Sequence, residues 1–151
     1  MSFEFKIQRR VEFSETDMAG IMHYSNFFRF MESAEHAFYR ALGHSVVMTN
    51  VDPPLGWPRV HAECDYFKPL RFEDLVEVHM LVKEKRNKTL TYVFRFYKLS
   101  NAREEAARGS LTVVCVAHQD GAMRAVEIPK EIADKIEVAS AELLGGAPQS
   151  R

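Results

Sequence analysis

The sequence has little cysteine, no excess of either charge and no long apolar run. Its two cysteines, Cys64 and Cys115, both fall in strand-like segments, which favours buried thiols in a reducing compartment over a disulfide. The chain carries 20 Lys and Arg residues against 21 Asp and Glu residues, so its charge gives no reason to expect nucleic acid or an anionic membrane as a partner. Closely spaced Cys or His pairs are also missing, and we expect no metal site.

The chain also lacks targeting signals. No segment approaches the roughly 18 continuous apolar residues of a membrane span, and the first residues have no apolar signal core. We therefore expect a soluble cytoplasmic protein. With 151 residues, of which 46% are hydrophobic, the chain is long enough for one domain with a real core. We assign residues 1–144 to that domain and expect residues 145–151, which have little apolar content, to form a disordered tail.

The hydrophobic pattern changes its period near the N-terminus. Residues 3–13 alternate between apolar and polar side chains, which predicts a half-buried strand. From about residue 25 to residue 42 apolar side chains recur every third or fourth position, which predicts a long helix that ends at Gly43. Its apolar face is broad, so we expect the helix to lie across a curved sheet.

Four further strand patterns follow a packed connection over residues 44–56. They cover residues 59–66, 76–83, 90–97 and 109–118, and a short helix follows at about 130–138. Short turns join antiparallel neighbours, so we predict an α+β fold with a five-stranded antiparallel sheet wrapped around one long central helix. The exposed edges of such a sheet favour association with a second copy.

Between the first strand and the helix, the sequence places a carboxylate, Asp17, beside a helix N-terminus. The first N–H groups of a helix have no acceptor within the helix and carry partial positive charge. A carboxylate is a nucleophile or a general base. Gly20 allows the loop a backbone conformation that a side chain would hinder. This combination makes the loop the candidate site of chemistry.

The segment Phe13–Phe28, which reads FSETDMAGIMHYSNFF, resembles the active-site segment of hotdog-fold acyl-CoA thioesterases of the 4-hydroxybenzoyl-CoA thioesterase type. The order of elements, one strand, a long helix and four strands, matches the same family over nearly the whole chain. The residues that match the family pattern are Asp17, Gly20, Ile21, His23, Tyr24 and Asn26. The resemblance implies hydrolysis of an acyl-CoA or acyl-carrier thioester by a homodimer or tetramer, with active sites at subunit interfaces. It implies no cofactor, because CoA is part of the substrate.

The resemblance also implies roles for individual residues. Asp17 is the catalytic carboxylate, which either attacks the thioester carbonyl or activates water. Backbone N–H groups near His23, Tyr24 and Ser25 polarise that carbonyl, and N–H donors of this kind stabilise an oxyanion by a few kcal/mol. The His23 side chain is a further catalytic candidate. Asn26 either caps the helix or lines the site.

Residues outside this segment supply the remaining candidates. Lys85, Arg86 and Lys88 form a basic hairpin tip, which is either a solvated turn or a contact for the phosphates of CoA. Glu32 and Glu35 lie on the helix, where another branch of hotdog thioesterases carries its catalytic Glu, and they are the alternative carboxylates.

Two other functions stay open at this point. One is a hotdog dehydratase or hydratase, which depends on a differently placed His–acid pair. The other is a non-catalytic module that binds acyl thioesters. Release of a free thiol distinguishes hydrolysis from both. The identity of the acyl group is not predicted, because it depends on how the Met and Phe side chains pack.

Overall fold

The computed structural model describes residues 2–100 and 102–146, so residues 147–151 of the predicted tail lie outside the described residues. The strands are β1 Glu4–Arg10, β2 Leu55–Gly56, β3 Arg59–Tyr66, β4 Leu75–Lys85, β5 Thr89–Lys98, β6 Glu104–Val114, β7 Val116–Gln119 and β8 Ala122–Ala125. The helices are α1 Asn26–Ala41, α2 Lys130–Ala133 and α3 Ala141–Leu144, and a 3₁₀ turn covers Phe13–Glu15. None of these helices has the length and apolar content needed to span a membrane.

Five strands form the main antiparallel sheet in the order β1-β4-β5-β6-β3. The α+β class and the five-stranded sheet are therefore as predicted. β3 lies at one edge of the sheet, and its side chains are largely exposed, with Val60 at 63% and Tyr66 at 37%. An edge strand presents unpaired backbone N–H and C=O groups to solvent or to another chain.

The core lies between α1 and the inner face of the sheet. The buried aromatic and aliphatic side chains of α1 are Phe27, Phe30, Met31, Ala34, Phe38 and Tyr39. They pack on buried residues of β5, and the rings of Phe27 and Phe96 meet with centroids 5.2 Å apart. Gly109 of β6 leaves room for the Met31 side chain of α1, because a Cβ there would lie 2.0 Å from Cε of Met31. The helix is thereby fixed on the sheet, and its start is fixed with it.

The first predicted strand is too long at its C-terminal end. It stops at Arg10, and Phe13, which the alternation assigns to the buried face, is 76% exposed. The reason is the 3₁₀ turn, which is closed by the Glu12 N–H donating to Oε1 of Glu15 over 2.8 Å. This turn directs the chain away from the sheet and into the Asp17 loop.

The C-terminal half contains two further corrections. The predicted strand over 109–118 begins earlier, at Glu104, and breaks at Cys115, whose N–H donates to the Lys88 carbonyl over 2.8 Å. Beyond the break, the chain enters a second sheet of order β2-β7-β8, which the sequence did not predict. The predicted helix over 130–138 ends at Ala133.

Candidate active site

Asp17 lies in a tight loop between the 3₁₀ turn and α1. Its N–H donates to the Ile21 carbonyl over 3.0 Å, and the Gly20 N–H donates to the Asp17 carbonyl over 3.0 Å. Gly20 has a φ of +79°, a conformation that residues with a side chain rarely adopt. A Cβ at this position would meet nothing within 4 Å, so the loop needs this glycine for its backbone conformation and not for space.

The Asp17 carboxylate is held by one of its two oxygens. Oδ1 accepts a hydrogen bond from the Ala19 N–H over 2.8 Å. Within residues 2–100 and 102–146, no other hydrogen bond or ion pair engages this side chain. Because Oδ2 has no partner and the residue is half-buried, the carboxylate is oriented yet free to act as a nucleophile or a base.

The turn that leads into α1 uses most of its N–H groups internally. The His23 N–H donates to the Glu15 carbonyl over 2.9 Å, and the Ser25 N–H donates to Nδ1 of His23 over 3.2 Å. The Asn26 N–H donates to the His23 carbonyl over 2.9 Å. Among the described residues from 23 to 28, Tyr24 alone has an N–H without an acceptor. Of the three predicted oxyanion donors, the N–H groups of His23 and Ser25 are thus engaged within the turn, whereas the Tyr24 N–H is available.

The imidazole of His23 is occupied with its own turn. Nδ1 of the ring is engaged by the Ser25 N–H within the same turn. The Ser25 hydroxyl lies 2.8 Å from the same Nδ1, and the ring stacks on Tyr24 with centroids 4.5 Å apart. His23 does not line the cavity that holds Asp17. Its predicted catalytic role has no support from this geometry.

A cavity of about 310 Å³ opens beside Asp17. One wall comes from the Asp17 loop and the start of α1, and the other from the segment 66–70 that follows β3. The lining residues are Asp17, Ile21, Met22, Tyr24, Phe27, Tyr66, Phe67, Lys68, Pro69 and Leu70. Two hydrogen bonds join the walls: the Met22 N–H donates to the Leu70 carbonyl over 2.6 Å, and the Tyr66 hydroxyl donates to the Tyr24 carbonyl over 3.1 Å. The result is a largely apolar cleft with one carboxylate in its lining.

Comparison with known proteins identifies the family of this chain. The model of a family described as the thioesterase-like superfamily matches residues 11–136. The chain belongs to this family. The matched region contains the Asp17 loop, α1 and every strand of the main sheet except β1. Membership confirms the resemblance read from the Asp17 segment, and it places the chain among thioester hydrolases.

Individual thioesterase-like relatives cover nearly the whole chain. A putative esterase from Aquifex aeolicus (strain VF5) is 34% identical over 128 residues, which are 85% of this chain and 94% of that protein. The 4-hydroxybenzoyl-CoA thioesterase of Pseudomonas sp. (strain CBS-3) is 25% identical over 93% of this chain and 100% of that protein. A solved structure of a gentisyl-coenzyme A thioesterase superimposes with a TM-score of 0.73 at 28% identity, covering 86% of this chain and 98% of that one.

Two other predicted site residues of this thioesterase-like chain, Asn26 and Lys85, make hydrogen bonds within the fold. The Asn26 amide donates to the Glu15 carbonyl over 2.8 Å, which ties the helix start to the 3₁₀ turn. The Lys85 ammonium donates to the carbonyls of Ala133, over 2.9 Å, and Ile136, over 2.7 Å. The ammonium of Lys85 therefore has partners within the chain at the end of α2.

The rest of the basic hairpin tip is exposed. Nε of Arg86 lies 2.5 Å from Oε1 of Glu84, and the Arg86 side chain is 72% exposed. Lys88 is exposed as well. Neither side chain lines the cavity beside Asp17. On this chain alone, the structure does not bring the hairpin tip and Asp17 into one site.

The two alternative carboxylates on α1 lie outside the cavity. Glu32 is exposed, and Glu35 is completely buried in an ion pair with Arg59. Burial raises the pKa of Glu35, and the Arg59 guanidinium opposes that rise. Oε2 of Glu35 has no hydrogen-bond partner among the described residues. Glu35 therefore belongs to the core, whereas Asp17 belongs to the cavity.

Sequence reasoning missed the polar groups on the second wall of the cavity. Tyr66 and Lys68 carry its polar groups, and neither was predicted as a site residue. The sequence holds no local sign of this position, because it depends on the hydrogen bond between Met22 and Leu70, which lie far apart in the chain.

Proposed function

We propose that this chain is an acyl-CoA thioesterase that hydrolyses its substrate to a free acid and CoA, with Asp17 as the reactive carboxylate. One observation carries the proposal: Oδ2 of Asp17 and the N–H of Tyr24, which have no hydrogen-bond partner within residues 2–100 and 102–146, belong to residues that line one apolar cavity. Family membership and relatives that are named as CoA thioesterases support the same reading.

The proposed chemistry needs one carboxylate and one oxyanion site. Asp17 either attacks the thioester carbon or removes a proton from the water that attacks it. The carbonyl oxygen becomes negatively charged, and the Tyr24 N–H at the positive end of α1 stabilises that charge. The thiol of CoA is acidic enough to leave as a thiolate, so no Ser-His-Asp triad is required.

We extend the proposal to the assembly, which is a homodimer or a pair of dimers. Within each copy, the sheet wraps around α1. β3 supports this assembly, because it is an edge strand with Val60 exposed, and the cavity wall 66–70 follows directly from it. A second copy paired along β3 would complete the cavity. In that assembly Arg86 and Lys88 are the proposed contacts for the phosphates of CoA. The acyl group stays open between short, medium and aromatic chains.

The experiment is a thiol-release assay on a panel of acyl-CoA and acyl-carrier thioesters with the wild-type protein. We expect release of thiol and free acid in equal amounts from at least one substrate. The panel includes a 2-enoyl-CoA, because hydration of its double bond without thiol release would support the dehydratase or hydratase instead. Binding of a thioester without any turnover would support the non-catalytic module.

A further inference from the structure

The cavity beside Asp17 contains one side chain with a full positive charge, Lys68. The other lining residues are apolar or aromatic, apart from Asp17 itself. Lys68 is half-buried, and no hydrogen bond or ion pair of its ammonium is found within the part of the chain that the structure describes. Lys68 and Asp17 do not form an ion pair with each other, although both line the same cleft. The cavity therefore holds two opposite charges, and neither neutralises the other by direct contact.

The backbone fixes Lys68 on the wall opposite the Asp17 loop. The N–H groups of Phe67 and Lys68 both donate to the Ala106 carbonyl, over 2.8 Å and 3.0 Å. Pro69 follows, and a residue before proline is restricted to extended conformations. The Leu70 carbonyl then accepts from the Met22 N–H. These constraints hold the backbone of this wall, so less entropy is lost when the lysine side chain finds a partner.

We propose that Lys68 is a catalytic residue whose ammonium stabilises the departing thiolate of the substrate. The inference rests on the proposed thioesterase function. The oxyanion has its donor in the Tyr24 N–H. The second negative charge of the reaction develops on sulfur, and Lys68 is the cationic side chain among the residues that line the same cavity. A compact ammonium suits a single-atom anion such as a thiolate.

The step balances without any further reactant. Water and the thioester give a carboxylate, a thiol and one proton. The carbon–sulfur bond breaks after either the Asp17 carboxylate or the activated water has bonded to the carbonyl carbon, and the bonding electron pair leaves with sulfur. Lys68 lowers the energy of that anion in a cleft with mainly apolar walls, where charge stabilisation is stronger than in water.

The test uses two thioesters of one acyl group, the acyl-CoA that the wild type hydrolyses best and the corresponding 4-nitrothiophenyl thioester. 4-Nitrothiophenolate is a far more stable anion than the CoA thiolate, so it needs little help to leave. We expect Lys68→Met to slow single-turnover thiol release from the acyl-CoA by about tenfold to a hundredfold. The rate on the aryl thioester should change little. Lys68→Arg, which keeps the charge, should recover most of the acyl-CoA rate.

The matched control is Lys83→Met, the same substitution at an exposed lysine of β4 outside this cavity. It should leave both rates unchanged. Equal losses of Lys68→Met on the two thioesters would overturn the inference, as would no loss on either. A loss confined to the KM of substrates that carry a terminal carboxylate would also overturn it, because Lys68 would then bind the acyl group.

The two proposals fail in different ways. If the wild type releases no thiol from any thioester, the thioesterase function fails. If the wild type is active, Asp17→Asn is inactive and Lys68→Met behaves like the wild type on both thioesters, the function stands and the role of Lys68 is wrong.

Discussion

Asp17 and Glu35 are two carboxylates near α1 with opposite surroundings. Asp17 is half-buried in the lining of a cavity, and its Oδ2 has no partner among the described residues. Glu35, in contrast, is completely buried and pairs with Arg59. A buried carboxylate is stable only with a partner, so Glu35 needs Arg59 to remain charged. A reactive carboxylate in a cavity lining needs orientation without neutralisation, which the hydrogen bond from the Ala19 N–H supplies. The comparison assigns reactivity to Asp17 and a structural role to Glu35.

The largest expected effect follows from removing the charge of Asp17. We expect Asp17→Asn to lower kcat for thiol release by about a thousandfold or more, because the amide can neither attack nor accept a proton. The melting temperature should not change, since Oδ1 can be replaced by the amide oxygen. The matched control is Glu32→Gln at an exposed carboxylate of α1, which should keep kcat. Wild-type turnover by a folded Asp17→Asn variant would refute the assignment.

The second expected effect concerns stability. Arg59→Met leaves Glu35 buried without its partner, and we expect a loss of about 2 to 3 kcal/mol in the free energy of unfolding. Urea unfolding at a fixed protein concentration measures it. Arg86→Met, which removes an exposed ion pair with Glu84, is the control and should cost less than about 0.5 kcal/mol. Similar small losses in both variants would show that the Glu35–Arg59 pair does not stabilise the core.

A third prediction separates the effect of backbone strain on stability from the effect of the loop conformation on activity. Gly20 and Gly121 both have positive φ, +79° and +74°, and open space where a Cβ would lie. Substitution by Ala should cost about 1 kcal/mol at each position, because an L-residue is strained there. Only Gly20→Ala should also reduce thiol release, since only Gly20 shapes the Asp17 loop. Full activity of Gly20→Ala at the same loss of stability would mean that the loop conformation does not matter for the reaction.

The smallest expected effect is the pH dependence that Glu35 contributes. Burial raises the pKa of Glu35 above its ordinary value of 4.5, so the folded state binds this proton more readily than the unfolded state. The stability that this group contributes is therefore present below pH 4.5 and is lost as the pH rises through the folded pKa. Urea unfolding of the wild type and of Glu35→Gln at about pH 5 and about pH 7 measures it.

The comparison with Glu35→Gln removes the contribution of the other titrating groups, including His36 beside the pair. The stability of the wild type relative to the variant should fall with rising pH. A rise over the same interval would contradict the raised pKa.

The sequence predicted the parts of the molecule that depend on local pattern. The helical period gave α1 within one residue at each end, and the break between strand and helix gave the Asp17 loop with Gly20. Both signals lie within a few turns of chain, so no distant contact is needed to read them.

The features that were missed depend on contacts between distant segments. Lys68 lines the cavity in a segment that the hydrogen bond between Met22 and Leu70 holds beside the Asp17 loop. The ammonium of Lys85 bonds to the carbonyls of Ala133 and Ile136, which the sequence did not predict. The strand break at Cys115 likewise follows from a hydrogen bond to Lys88. The nearly continuous apolar run over residues 109–118 contains no residue type that predicts such a break.

The measurement that tests the central claim most directly is a paired one, with kcat for thiol release and the melting temperature determined for Asp17→Asn and Glu35→Gln. The predicted result is a loss of turnover in Asp17→Asn alone. Asp17→Asn loses turnover and keeps its melting temperature, whereas Glu35→Gln keeps its turnover per folded molecule. The reverse pattern, with turnover lost in Glu35→Gln and retained in Asp17→Asn, would contradict the account.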